Sequence, residues 1–305
     1  DLVMPEIDGL EFLERLSAYR TTVPVIVQTA QGSIETVVKA MRAGADDFVT
    51  KPFGASRLKV TIGNAIRQEE LADLVDAAAD AVDFLRHTML RDGRLLASHK
   101  DGEAKFMAYL DDHAFLLDAL LELLQARWSA EHLAFAQQVA ELTLQHFGDA
   151  ENGGFWFTAD DHEQLMHRPK PLADEAVPSG NGIAALALQR LGHLVGEHRY
   201  IEAAARTLRS AWKAMDEYPH GHVTLITALE EYLEPPEIIV VRGDAGDIGE
   251  WRQQLSRIYA PARLVVAIDR DEAGLPGLLA ERKPVGLKQT IKRWLKPEDL
   301  GGDLA

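Results

Sequence analysis

At 305 residues the chain has room for two or three domains. An apolar content of 47% and a charged content of 26% are those of a globular protein, and a formal charge of −16 argues against the Lys- and Arg-rich surface that nucleic acid requires. There is no cysteine, which removes disulfides, thiolate metal sites and cysteine nucleophiles, and no apolar run nears the roughly 18 residues of a membrane span. Neither nucleic acid nor a membrane is therefore expected as a partner.

Residues 1–74 alternate between two hydrophobic periods. Leu10 to Tyr19 predicts a helix, with Leu10, Leu13 and Leu16 three apart. VPVIVQT (23–29) is a short continuous apolar run, the pattern of a strand buried on both faces. Ser33 is placed to cap a helix carrying Ile34, Val37, Val38 and Met41 and ending at Gly44. DFVTK (47–51) reads as a second strand and 55–74 as a helix, so the expectation is a parallel α/β layer.

From 75 to 234 the period becomes 3.6 and strands are not expected. Residues 77–90 form one helical pattern, closed by a turn at Asp92-Gly93. Residues 112–127 are apolar nearly all round and predict a buried helix; 130–147, 181–196, 199–216 and 222–233 predict four more. Two Gly-rich loops, 148–158 and 169–181, interrupt them, and no internal repeat stands out. After Pro235-Pro236, strand 237–241, an amphipathic stretch 249–259 and strand 263–269 make a β-α-β unit, and the pattern decays beyond Pro284. The predicted domains are 1–74, 75–234 and 235–305.

Asp1, Met4-Pro5, Asp8-Gly9, Thr29-Ala30 and Lys51-Pro52-Phe53 keep the order and spacing of a bacterial response-regulator receiver domain, and the stretch 23–53 most resembles receivers of the nitrogen-regulator type. The resemblance implies that Asp1 is the phosphoacceptor, Lys51 the partner of the phosphoryl group, Thr29 the hydroxyl that reads it and Phe48 the aromatic switch. It also implies a Mg²⁺ cofactor, a sensor histidine kinase as partner and a cytoplasmic location. In that family two further acidic residues on a first strand complete the Mg²⁺ site. This sequence starts at the acceptor, so Asp1 is the one ligand of an incomplete site, and the expectation is a truncated receiver that is not phosphorylated as it stands.

YLDDHAFLLDALLEL (109–123), GGFWFTADDHEQLMHRPK (153–170) and DEAVPSGNGIAALALQRL (174–191) resemble a second family, the thioredoxin-domain proteins related to the spermatogenesis-associated protein. The match covers residues 78–285 and implies the second half of an (α/α)₆ toroid similar to glycosidases and sugar epimerases. Asp111 and Asp112 are either helix-capping residues or carboxylates at the mouth of a sugar site, with Arg168 at its rim. Phe155, Trp156 and Phe157 either stack on a sugar or close a core. Arg168 and Lys170 beside Asp174 and Glu175 read as one polar cluster, and Ser179 or Asn181 as a helix cap that exposes N–H groups to an anion. His113, His162 and His167 fit no zinc spacing, and VVRGDAGD (240–247) lacks the steps of a phosphate loop.

The expected fold is mainly α with α/β parts: a truncated parallel receiver, about six helices of a half toroid, and a small β-α-β unit. The join near 72–78 reads as a gene fusion or a misassembled frame. Phosphorelay ancestry is the leading functional expectation, carbohydrate-related binding or catalysis the second, and a chain with no activity of its own the third.

Overall fold

The computed structural model describes residues 8–17, 23–29, 34–51, 54–163, 167–255, 260 and 262–281. The chain divides into two compact units, Asp1–Asp80 and Ala81–Ala305, and is mostly helical with some sheet.

The first unit holds helix α1 (Gly9–Ser17), strand β1 (Ile26–Thr29), helix α2 (Ile34–Arg42), strand β2 (Asp47–Thr50) and the start of helix α3 (Ala55–Phe84). β1 and β2 pair in parallel, from Ile26 against Asp47 to Thr29 against Thr50. Parallel neighbours need a crossover, and α2 supplies it. Leu13, Val27, Ala40, Ala43 and Ala45 form the core, with Leu10, Val25 and Phe48 packed against it. The strand predicted at 23–29 begins only at Ile26, because the Asp46 carboxylate accepts from Val25 N at 2.6 Å before the ladder starts. It is buried at alternate residues, Val27 and Thr29, and not on both faces. The Ser33 cap and Pro52 lie outside the described residues.

α3 runs unbroken for 30 residues and passes into a π-helical turn at Leu85–Met89, so the two predicted helices 55–74 and 77–90 are one. Its interior carries no proline and a single glycine, Gly63, so nothing in it stops a helix.

Strands also stand in the second unit where only helices are predicted. β3 (Leu90–Arg91), β4 (Arg94–Lys100) and β5 (Glu103–Met107) form an antiparallel sheet in that order. Asp92 and Gly93, at φ 50° and 74°, and Asp101 and Gly102, at φ 54° and 81°, supply the two left-handed residues each two-residue hairpin turn demands. Most of β4 and β5 is exposed on both faces, so the alternation that marks a half-buried strand is missing from their sequence.

Helices α4 (Leu110–Ala126), α5 (Ala130–Phe147), α6 (Gly180–Val195), α7 (His198–Glu217) and α8 (Val223–Leu233) make the body of this unit, each within two residues of its predicted span. α6 is central: all its residues but Arg190 and His193 are buried. Its small residues let neighbours approach; a Cβ on Gly192 would lie 2.7 Å from Ile201 Cγ1. Ala185 and Leu186 join Ala204, Leu208, Ala211 and Met215 of α7 and Leu225 and Ala228 of α8 in one cluster. On the other side Leu110, Leu117, Leu120 and Leu124 of α4 are fully buried, each contributing about 1.5–3 kcal/mol.

β6 (Glu237–Gly243) and β7 (Arg263–Asp269) pair in parallel over their full length, with α9 (Ala245–Leu255) as crossover, and α10 spans Gly277–Glu281. Arg252 donates to the carbonyls of Gln125 and Ala126, and Gln125 Oε1 accepts from Val265 N at 3.2 Å, which fixes this β-α-β segment to the end of α4. The amphipathic stretch expected at 249–259 falls on α9, described over Ala245–Leu255, and residues 256–259 and the tail beyond Pro284 are outside the described residues. Among the described residues no helix is long and apolar enough to cross a membrane.

Candidate functional site

In the first unit the site lies at the carboxyl ends of β1 and β2. Their register sets Thr29 against Thr50, and Lys51 N donates to Thr29 O at 2.8 Å. Thr29 is 4% exposed and Lys51 is exposed, so a sheltered hydroxyl and a solvent-facing ammonium share one edge. Phe48 lies three residues before Lys51, half-buried against the core. Asp1 is outside the described residues. Asp46 and Asp47 stand at the amino ends of the strands, accepting from Val25 N and Phe48 N. Both therefore lie away from the carboxyl edge.

In the second unit Asp112 is the capping residue of α4: its Oδ2 accepts from Tyr109 N at 2.8 Å. Asp111 makes no such bond. Its Oδ1 is buried without a partner and fills the space that a Cβ on Gly180, at the start of α6, would need. Burial first, and then the charge of Asp112, raises the Asp111 pKa above the ordinary carboxylate value. Of the capping reading, Asp112 keeps the role and Asp111 does not.

The loop between α5 and α6 is built largely from its own polar groups. Asp149 accepts from Lys170 Nζ at 2.5 Å and from the backbone N–H groups of Glu151 and Asn152, each at 3.0 Å. These bonds, led by that of Lys170, hold its pKa far below the carboxylate range. Lys170 Nζ lies 4.4 Å from the Trp156 ring centre and the Arg168 guanidinium 5.3 Å from it. Phe155 is core, at 2% exposure, and Phe157 stacks on Tyr109 with ring centres 4.8 Å apart. All three aromatics are thus engaged by the protein itself.

The single polar cluster expected of Arg168, Lys170, Asp174 and Glu175 separates. Arg168 Nη2 donates to Thr158 O at 2.5 Å, Lys170 pairs with Asp149, and Asp174 accepts from Ser179 N and Thr224 N, both at 2.9 Å. Burial opposes the Asp174 charge, but those N–H bonds outweigh it and lower its pKa. Ser179 is the cap of α6, with Oγ accepting from Gly182 N at 3.1 Å. Asn181 is not a cap: fully buried, it binds Phe155 N and O and Pro171 O, pinning the loop to α6.

The three histidines singled out as candidate ligands, His113, His162 and His167, do not converge. His113 is buried, with Nδ1–H donating to Tyr109 O at 2.9 Å; its pKa is lowered chiefly by burial, which the Tyr109 carbonyl and Asp112 oppose and Arg94 and His146 reinforce. The His162 ring centre is 5.8 Å from that of Tyr109, and His167 is exposed.

Two groupings have no counterpart in the sequence pattern. His146, Asp160 and Asp161 come together beside Arg94. Arg190 of α6 meets Glu231 of α8 and Asp118 and Glu122 of α4, four helix-surface residues that only helix packing unites.

The profile of the Response regulator receiver domain matches residues 1–63. The regulatory protein LuxO of Vibrio vulnificus (strain YJ016) is 48% identical over 68 residues, 22% of this chain and 15% of LuxO. The transcriptional regulatory protein FixJ of Bradyrhizobium diazoefficiens is 40% identical over 82 residues, 27% of this chain and 40% of FixJ. This chain thus spans well under half of the curated relatives it matches. Among solved structures, full-length FixJ from B. japonicum covers 46% of this chain and 56% of its own at 27% identity and a TM-score of 0.24. The cellobiose 2-epimerase from Spirochaeta thermophila covers 45% of this chain and 36% of its own at 21% identity and a TM-score of 0.36; both scores are too low to establish a common fold. What the chain carries at its N-terminus, over residues 1–63, is response-regulator receiver sequence.

Proposed function

We propose that this chain takes part in phosphorelay signalling through its N-terminal receiver segment, with the helical unit in the place of an output module. The observation that supports it is the meeting of Thr29 and Lys51 at one sheet edge, Lys51 N on Thr29 O at 2.8 Å. In receivers a lysine ammonium forms a charge-assisted bond to the phosphoryl oxygens and a hydroxyl turns to meet them. Asp1 takes the acceptor role by resemblance, and a sensor histidine kinase in the cytoplasm is the matching donor. Receivers use Mg²⁺ for this chemistry. Asp1 brings one carboxylate of that set.

The test is a chimera in which the segment of FixJ that precedes its matched residues is placed before Asp1, followed by acetyl phosphate with Mg²⁺ and mass spectrometry. One added phosphate, on Asp1 and lost in Asp1→Asn, supports the proposal. A folded chimera with no phosphate on Asp1 ends it.

Asp111 favours a second reading, carbohydrate-related catalysis or binding in the helical unit, which residues 78–285 suggest by their resemblance to toroid proteins. A carboxyl whose pKa burial raises suits protonation of a glycosidic oxygen, and Arg168 lies on the same loop as Phe157 and Thr158. Thermal shift across a sugar panel tests it. Identical melting with and without every sugar, in wild type and in Asp111→Asn, removes it. Failure of both tests would favour the third reading, a chain with no activity of its own.

A further inference from the structure

Helix α3 leaves an apolar stripe in water. Over residues 57–80, all in the first unit, Thr61, Ala65 and Ala79 are buried. Val60, Leu71 and Leu74 are 58%, 56% and 66% exposed, and Gly63, Arg67 and Ala78 are exposed with them. Steps of three or four residues separate these six, so at 100° per residue all of them fall within about 60° of one line along the helix. Single exposed apolar side chains are ordinary, but a row at this spacing is the seam along which helices pair.

The charge on the same helix says what covers the stripe. Its first half, residues 55–68, carries Arg57, Lys59 and Arg67 and no acid. Its second half, residues 69–84, carries Glu69, Glu70, Asp73, Asp76, Asp80 and Asp83 and no base. Two copies side by side in parallel set acid on acid along half their length. Two antiparallel copies set the basic half of each against the acidic half of the other. The seam fits the same arrangement. A twofold axis near Glu69 places Val60 opposite Ala78, Arg67 opposite Leu71 and Gly63 opposite Leu74. A Cβ on Gly63 would meet nothing within 4 Å, so this glycine leaves a hole in the seam where the large Leu74 side chain of a second copy can enter.

We propose that two copies of this chain associate through α3 as an antiparallel helix pair, with Val60, Gly63, Leu71, Leu74 and Ala78 in its seam. Arg67 of each copy then lies beside Glu70 of the other, and Lys59 beside Asp80. The apolar stripe supplies the contact, and the segregated charge selects the antiparallel orientation by making the parallel one repulsive.

Sedimentation velocity of the full chain over a wide concentration range tests this. A reversible monomer–dimer equilibrium is expected, weakened at least about tenfold by Leu74→Lys. Leu74 is exposed within one copy, so circular dichroism of that variant should match wild type. The chain has no cysteine, so introduced ones report the orientation. An equal mixture of Val60→Cys and Ala78→Cys chains should oxidise mainly to the mixed 60–78 disulfide. A chain that stays monomeric at every concentration overturns the proposal, whether another partner covers the stripe or none does. So does a dimer that folded Leu74→Lys leaves intact, or one whose disulfides are chiefly 60–60 and 78–78, the mark of parallel pairing.

Discussion

Arg190 and Glu231 face each other across α6 and α8 in a two-pronged ion pair, Nε to Oε2 at 2.9 Å and Nη2 to Oε1 at 2.5 Å. Both side chains are largely withdrawn from water, at 14% and 7% exposure, and Asp118 and Glu122 stand 3.9 and 3.5 Å from Arg190 Nη1. One arginine therefore organises three carboxylates from two helices. Arg190→Met leaves them without a counter-charge and should cost about 3–5 kcal/mol, whereas replacing Arg190 and Glu231 together by apolar residues should cost far less. Urea unfolding followed by circular dichroism measures both, and equal losses in the two variants refute the account.

Asp111 predicts a pH dependence of defined sign. Its folded pKa is raised, by burial and then by Asp112, above the unfolded value. The stability it contributes is full below the unfolded carboxylate pKa and is lost as pH rises through the folded one. Asp118 and Glu122, raised by burial against the opposing pull of Arg190, act in the same direction. Asp111→Asn should therefore match or exceed wild type in stability at neutral pH and flatten the decline that sets in as pH rises above the ordinary carboxylate pKa. Unfolding midpoints measured as pH rises check it; an unchanged slope contradicts it.

Gly180 and Asp111 are predicted to be energetically coupled. A Cβ at Gly180 collides with the Asp111 carboxylate, so Gly180→Ala should cost about 1–3 kcal/mol through overpacking. Shortening the partner, as in Asp111→Ala, opens the space, and the double variant should recover at least about 0.5 kcal/mol relative to the sum of the singles. An additive cycle would show that the collision relaxes elsewhere.

Asp149 works in the opposite sense to Asp111. The Lys170 ammonium, followed by backbone N–H groups, holds its pKa well below the unfolded value, so its contribution is present above the ordinary carboxylate range and is lost as pH falls through the folded value. Lys170→Met leaves a buried carboxylate short of its charged donor and strips a cation from Trp156, at an expected cost of about 1–3 kcal/mol. Limited proteolysis should locate the effect between residues 149 and 171; cleavage that stays at the wild-type rate there counts against it.

The helices of the second unit were legible because their causes are local. Ser129 and Ser179 cap, Leu116, Leu117, Leu120 and Leu124 recur at helical spacing, and the five helices α4–α8 fall within two residues of the expected limits. The order Thr29, Lys51 likewise sufficed to place both at one strand edge, since parallel pairing leaves little choice. The hairpins at Asp92-Gly93 and Asp101-Gly102 were local too, but their exposed strands carry no hydrophobic alternation, so the turn dipeptides were the one available signal. That α3 continues through residues 72–78 was hidden by a shift of pattern without a breaker.

What sequence could not determine is which distant charges meet. Asp111 and Asp112 are adjacent and look alike, yet one caps its own helix and the other presses on Gly180, because a helix turns successive residues by about 100° toward different neighbours. Arg94 and His146, or Arg190 and Glu231, are 52 and 41 residues apart and carry no shared motif. Composition and periodicity determine elements through short-range backbone and burial energies. Ion pairs, shifted pKa values and orphan polar atoms depend on packing at the ångström scale, and only the tertiary structure decides them.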